Sequence, residues 1–329
     1  MKVSVIGDGG WGTALAMVLE RNGHETTVWG PFPEHLDEIR SGGQNQTYLP
    51  GVEVPPSIQW MSDREAAVRG AQLVVLVVPS RFYRATVEAF SDFIPDHALV
   101  VSATKGLDEQ THQRMSAVAG EMLHHDVAVL SGPSHAEEVA RGIPSAVAIA
   151  ARDHSIAVQI QEFFSNDTFR VYTLDDVVGV ELGGALKNVI AVAAGISDGM
   201  GFGDNSKAAL MTRGLAEITR LGVALGAKPE TFMGLSGVGD LMVTCMSRHS
   251  RNRGVGERLG KGESLKEIMA SMKMVAEGVW NCQAAKELAD ELGIAVPITE
   301  EVNAVVHEGK DPRQAVMDLM SRAPKPEQE

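Results

Sequence analysis

The chain has 329 residues, enough for about two domains, because a single core rarely grows past roughly 250–300 residues. Apolar residues at 44% and charged residues at 22% describe an ordinary globular chain rather than a disordered, collagenous or membrane-embedded one. The formal net charge of −14, with no Lys/Arg run, excludes a surface suited to nucleic acid or anionic membranes, and Cys245 and Cys282 are too few for a disulfide framework or a four-thiolate metal site.

The amino terminus, MKVSVIGDGG, enters a strand pattern at once, without the charged region and apolar core of an export signal. KVSVIG predicts a strand, the stretch from Trp11 to Arg21 a helix, and ETTVWG a second strand. The longest aliphatic run, Leu73 to Val78, is far short of the roughly 18 residues that cross a bilayer and reads as a buried strand. ALVVSA, DVAVLSG, SAVAIAA and TFRVYT continue the alternation of β-branched runs with helical patterns. That alternation predicts βαβ units and a parallel-rich sheet covered on both faces. After about Thr173 the long segments are helical. Ala208, Met211, Leu215, Ile218, Leu221 and Leu225 step by three or four residues and define one apolar helix face. The expected architecture is therefore an α/β Rossmann-like domain over residues 1–178 followed by an all-α domain over 179–329. Gly/Asp-rich loops are expected at SDGMGFGDN and GLSGVGD, and the tail from Arg322 is expected to fray.

The first strand runs into GDGGWGTALA, where Gly7, Gly9 and Gly12 fit G-x-G-x-x-G between a strand and a helix. The first glycine permits a tight turn, the second lets backbone N–H groups approach a pyrophosphate, and the third allows close helix–strand contact. The helix N-terminus adds its partial positive charge. A merely tight structural turn is the bland alternative. About 20 residues further on, an acid would grip a ribose 2′-hydroxyl. Trp29, Gly30, Pro31 and Phe32 stand there instead, with no carboxylate and no arginine, and Glu34 reads as a solvated first-turn acid. NAD and NADP both remain open.

In GGALKNVIAVAAG, Gly183 to Gly195, Lys187 is the one full charge among small apolar residues. An ammonium so placed must reach a cleft or find a partner. Desolvation would lower its pKa toward working pH, the requirement for an acid–base group. A snorkelling lysine or a structural ion pair is the competing reading. Asp240 follows the Gly-rich turn of LSGVGDLMVTC and is either a helix N-cap or a functional carboxylate. SRNRG, Ser250 to Gly254, beside Arg248 and His249, is either a solvated basic face or the local positive site that an anionic ligand needs in so acidic a chain. SDGMGFGDN has the small residues expected where backbone passes close to a ligand or another helix.

Taken in order, GDGGWGTALA, ATKGL, SGPSHAEEVA, GGALKNVIAVAAGISDGMGFGDN, LSGVGDLMVTC, SRNRG and VAEG resemble the bacterial NAD(P)-dependent sn-glycerol-3-phosphate dehydrogenases, from Lys2 to about Ala323. The resemblance implies a Rossmann-like domain, a helical domain and a substrate site between them. It implies a catalytic role for Lys187 and, for Lys105, contact with both substrate and cofactor. Gly132, Ser134, Asp240, Ser250, Arg251 and Asn252 match substrate positions. Gly7, Gly9, Gly10, Trp11, Gly12, Ala136, Val275 and Glu277 match cofactor positions, as does Arg251, and Tyr48 does so less securely. The implied reaction is reversible hydride transfer between NAD(P)H and dihydroxyacetone phosphate, giving sn-glycerol 3-phosphate for phospholipid synthesis in the cytoplasm. The implied partner is a phosphorylated triose, without nucleic acid or stable membrane insertion. A homodimer comes from the resemblance and from no spacing.

This chain departs from the family pattern in three places. Pro31 and Phe32 stand where many members carry basic residues, Ala276 replaces a common valine, and Asp8 puts a carboxylate near the pyrophosphate path. Two other readings stay open: a related dehydrogenase of a different hydroxy or sugar acid, and a non-catalytic nucleotide-sensing protein. His124 and His125 read as loop residues and Met269, Met272 and Met274 as core filler, and no metal-ligand spacing occurs.

Overall fold

A computed structural model describes residues 1–272, 274–324 and 326–327. The first half builds one sheet from β1 (Lys2–Ile6), β2 (Glu25–Trp29), β3 (Gln59–Met61), β4 (Leu73–Leu76), β5 (Leu99–Ser102), β6 (Val127–Ser131), β7 (Ser145–Ala150) and β8 (Phe169–Leu174), in the order 3-2-1-4-5-6-7-8. The strands from β1 to β6 are parallel, β7 runs antiparallel to β6, and β8 is parallel to β7.

Between the strands lie α1 (Gly10–Arg21), α2 (Pro33–Gly42), α3 (Arg64–Val68), α4 (Ser80–Phe90), α5 (Met115–Leu123), α6 (Ala136–Ala140) and α7 (His154–Phe164). Strand alternation divides β1 cleanly: Val3 and Val5 pack with α1, α6 and α7, whereas Ile6 packs with α3, α4 and α5. The predicted strands are all present. The three-residue β3 was missed because it is too short to show a period. The reversal at β7 has a local cause: the only helix between β6 and β7 is the five-residue α6, which packs on α1 rather than making a full crossover.

The helical half contains α8 (Val177–Gly199), α9 (Asp204–Ala224), α10 (Pro229–Phe232), a π-helical turn at Leu235–Gly239, α11 (Asp240–Met246), α12 (Arg251–Gly260), α13 (Leu265–Ser271), α14 (Gly278–Leu292), α15 (Pro297–His307) and α16 (Pro312–Met320). Helix α8 is its axis, buried from Gly179 to Ser197. By length and composition it could cross a membrane, yet 89% of its most apolar window is buried inside the protein. Both cysteines are buried free thiols.

Three expectations change. SDGMGFGDN is mostly helical, with only residues 200–203 outside α8 and α9. The GLSGVGD loop is a π-helical turn. On α9, Leu221 and Ile218 are buried as expected, but Ala208 is exposed, and the buried face includes a carboxylate, Glu217. Glu217 accepts from the N–H groups of Ile298 and Thr299 at 2.8 and 3.2 Å, the first turn of α15. Those orphan donors explain an acid on an otherwise apolar stripe.

Candidate active site

The cleft opens where β1, β4, β5 and β6 end, at the point where strand order reverses about β1 and β4, and α8, α11 and α12 close its other side. Gly7 has φ +131°, and a Cβ there would press on the Val77 carbonyl. At Gly12 a Cβ would collide with the Gly7 carbonyl. Both positions therefore need glycine for the turn to form. A Cβ at Gly9 would meet nothing within 4 Å, so that side of the loop is open. The N-cap of α1 has no side-chain capping bond, and among the described residues no backbone carbonyl takes the N–H groups of Gly10, Trp11 or Gly12. These open first-turn donors fit a pyrophosphate.

Across the cleft, Lys187 is 5% exposed. Its Nζ donates to Asp240 Oδ1 at 2.5 Å and to Thr244 Oγ1 at 2.6 Å. Thr244 in turn donates to the Asp240 carbonyl at 2.6 Å, one helical turn back along α11. Lys105 Nζ donates to Asp240 Oδ2 at 2.8 Å, the Gly132 carbonyl at 2.9 Å and Ser134 Oγ at 3.2 Å. An ammonium has three protons. Those of Lys105 are all engaged, whereas Lys187 keeps one.

Burial lowers the Lys187 pKa to about 8, against the pull of the Asp240 carboxylate and with help from the Lys105 charge. Burial alone would raise Asp240, but the two ammonium groups hold it below the usual carboxylate range. Asp240 is thus no N-cap: it carries no capping bond and spends its carboxylate on the lysines.

Backbone proximity creates this cluster. A Cβ at Gly183 would strike the Ser236 carbonyl, so glycine lets the π-helical turn press onto α8 and carry Asp240 over Lys187. At the other end of the cleft, SRNR is divided among tasks. Ser250 caps α12 by accepting from the Arg253 N–H at 3.2 Å. Asn252 donates to Asn188 Oδ1 at 2.9 Å and accepts from the Gly278 N–H at 2.8 Å. Arg253 turns away to Asp198 at 2.7 Å, which also binds Lys207. Arg251 lines the cleft with no ion pair or hydrogen bond to any described residue.

Residues 2–157 match the model of the NAD-dependent glycerol-3-phosphate dehydrogenase N-terminus, and residues 176–317 match that of its C-terminus. The chain belongs to the NAD-dependent glycerol-3-phosphate dehydrogenase family. It is 52% identical over 320 residues to the glycerol-3-phosphate dehydrogenase [NAD(P)+] of Moorella thermoacetica, covering 97% of this chain and 96% of that protein. The Geobacillus kaustophilus protein of the same name is 51% identical over 99% of this chain and 96% of its own. The crystal structure of the Coxiella burnetii glycerol-3-phosphate dehydrogenase superposes with a TM-score of 0.94 at 38% identity, covering 98% of this chain and 99% of that one.

In this member of the family the expected residues fall on one cleft. Gly9, Gly10, Trp11, Tyr48, Lys105, Ser134 and Ala136 line it from the sheet side, and Lys187, Asp240, Ser250, Arg251, Asn252, Val275 and Glu277 from the helical side. Gly7 and Gly12 shape the turn beneath, and Gly132 contributes its carbonyl to Lys105. Glu277 also caps α4, accepting from the Ser80 N–H at 3.0 Å and its hydroxyl at 2.5 Å. Met274, read as core filler, lines the cleft instead.

Thr244 and His135, not singled out in the sequence, also line the cleft, as does His249, named there only as a neighbour of SRNRG. Thr244 was accessible, since it lies four residues after Asp240 and such pairs share a helix face. The two histidines face each other across the cleft, with ring centroids 5.9 Å apart, a pairing that only the tertiary structure makes. Burial and the Lys187 charge lower the His135 pKa.

Proposed function

We propose that the chain catalyses reversible reduction of dihydroxyacetone phosphate to sn-glycerol 3-phosphate with NADH or NADPH, the product serving phospholipid synthesis. The observation that carries this reading is the Lys187–Asp240–Lys105 cluster, with Lys187 and Asp240 buried, which shares a cleft with an open helix N-terminus and an arginine unpaired among the described residues.

The dinucleotide, when bound, supplies the hydride chemistry. The loop Gly7 to Gly12 would hold its pyrophosphate, and Trp11, Tyr48, Ala136, Val275 and Glu277 would flank it. Lys187 has one ammonium proton uncommitted, and that proton is the one to deliver to the O2 atom of dihydroxyacetone phosphate as negative charge grows there. In the reverse direction the neutral amine accepts it. Asp240 and Thr244 hold the amine in place, and Lys105 fixes the other oxygen of Asp240. Arg251 presents an uncommitted fork to the phosphate, joined by the Ser250 hydroxyl and the remaining Asn252 N–H. Anchoring the unreactive end converts binding energy into orientation at C2.

The assignment of residues 1–178 to cofactor and 179–329 to substrate is part of the proposal, supported by β8 ending at Leu174 and α8 beginning at Val177. A cytoplasmic homodimer completes it, supported by the two buried free thiols and by exposed Met317 and Met320 on α16. Dihydroxyacetone phosphate reduction at matched NADH and NADPH concentrations tests the reaction. Turnover of a non-phosphorylated hydroxy acid in place of the triose phosphate would overturn it.

A further inference from the structure

The end of β2 carries no acid, yet a carboxylate stands there. Asp8, between Gly7 and Gly9, is 8% exposed, and its backbone carbonyl accepts from the Asn45 amide at 2.8 Å. The carboxylate lies against Gly30, the residue after β2, where a Cβ would collide with Asp8 Oδ2. The missing side chain at position 30 makes room for an acid that comes from the glycine loop.

Asp8 Oδ2 has no hydrogen-bond partner among the described residues, and neither has His35 Nε2, 4.0 Å away in the first turn of α2. Buried polar atoms left unpaired by the protein are costly and call for an explanation. The Asp8 side chain keeps 12% of its surface exposed. Burial raises its carboxyl above the ordinary range, opposed by its own backbone N–H and by His35.

The surroundings reinforce one charge preference. Beyond Asp8 and His35, the neighbouring α2 surface carries Glu34, Asp37 and Glu38, and its one cation, Arg40, pairs with Asp37 at 2.8 Å. Pro31 and Phe32 add no positive charge. In a dinucleotide fold the ribose lies between the glycine loop and the end of the second strand, where an acid accepts its hydroxyl and repels a 2′-phosphate.

We propose that Asp8 takes the place of the missing β2 acid: its carboxylate accepts a hydroxyl of the adenosine ribose, and the chain prefers NAD(H) to NADP(H). This rests on the glycine loop being the dinucleotide site. It moves the specificity element from the second strand to the second position of the loop, with Gly30 as its structural counterpart.

Calorimetric binding of ADP-ribose and 2′-phospho-ADP-ribose tests it without turnover. The wild-type protein should favour ADP-ribose by at least about tenfold, and Asp8→Asn, which keeps the shape, should reduce that preference by about tenfold, the scale of one charge-assisted hydrogen bond. The double variant Asp8→Gly/Gly30→Asp returns the acid to β2 and should restore the preference. Equal wild-type affinity for both fragments overturns the proposal. So does an Asp8→Asn protein that weakens both by the same factor, the result a merely structural aspartate would produce. Failure of the wild type to bind either fragment would instead refute the glycine loop as the dinucleotide site, and this inference with it.

Discussion

Lys187 shows how position changes what a side chain does. Buried against Asp240 and Thr244, its amine loses hydration, and its pKa falls to about 8 instead of the ordinary 10.5. The sign of the pH dependence follows from that value. Ketone reduction uses the ammonium, so kcat/KM for dihydroxyacetone phosphate should fall about tenfold per unit once pH rises above about 8. Alcohol oxidation uses the neutral amine and should rise through the same region; parallel profiles in both directions would contradict the role. Replacing Lys187 by Ala should lower kcat by a factor of about 10² to 10⁴, with cofactor affinity measured by fluorescence changing little. Arg251→Ala should act mainly through KM for the phosphorylated substrate. A comparable loss of cofactor affinity with an unchanged substrate KM would remove it from the phosphate clamp.

At the scale of elements, α8 explains why its sequence is so poor in bulk. It crosses α12 at backbone contact: a Cβ on Gly195 would collide with the Arg253 carbonyl, and one on Gly256 with the Val192 carbonyl. The alanines and glycines therefore bring α12 close enough to set Ser250, Arg251 and Asn252 beside Lys187 and Asn188. Gly195→Ala or Gly256→Ala should cost about 1–3 kcal/mol, because backbone cannot yield as a flexible side-chain end does. Urea denaturation measures that loss, and a neutral substitution at both sites would show that the helices have room to separate. Because α12 carries the SRNR segment, each variant should also raise substrate KM more than cofactor Kd.

Sheet and helices are joined by an apolar contact of Val180 with Val129, Ala148 and Ala150 and by polar contacts beside it. Glu181 on α8 is buried and accepts from Arg114 at 2.9 Å, the Ser116 N–H at 2.7 Å and the Ser116 hydroxyl at 2.6 Å. Glu277 caps α4 across the same junction. Removing Arg114 leaves the Glu181 carboxylate buried without its countercharge, so Arg114→Ala should destabilise by about 3–5 kcal/mol. Glu217 adds a pH dependence: burial raises its pKa to about 7, so the folded state holds this proton more tightly than the unfolded chain. Stability from this group is present in full below the unfolded carboxyl pKa and declines as pH rises toward about 7, by an amount on the order of 1–3 kcal/mol. The Tm of Glu217→Gln should be flatter across that interval, and an equally steep curve would exclude Glu217 as its source.

Local order in the chain determined the alternation of strands and helices, the glycine turn and the presence of a charged lysine in an apolar helix. These are properties of neighbouring residues, where side-chain period and backbone freedom act directly. Tertiary structure alone decided the rest. Asp240 could have been a cap until the π-helical turn set it over Lys187, and Arg253 reads like Arg251 until Asp198 draws it away. The reversal at β7, the cap that Glu217 supplies to α15, and the carboxylate that Asp8 brings to the end of β2 have the same origin. Each depends on groups distant in sequence sharing one volume, where desolvation and unpaired donors dictate partners that no local spacing encodes.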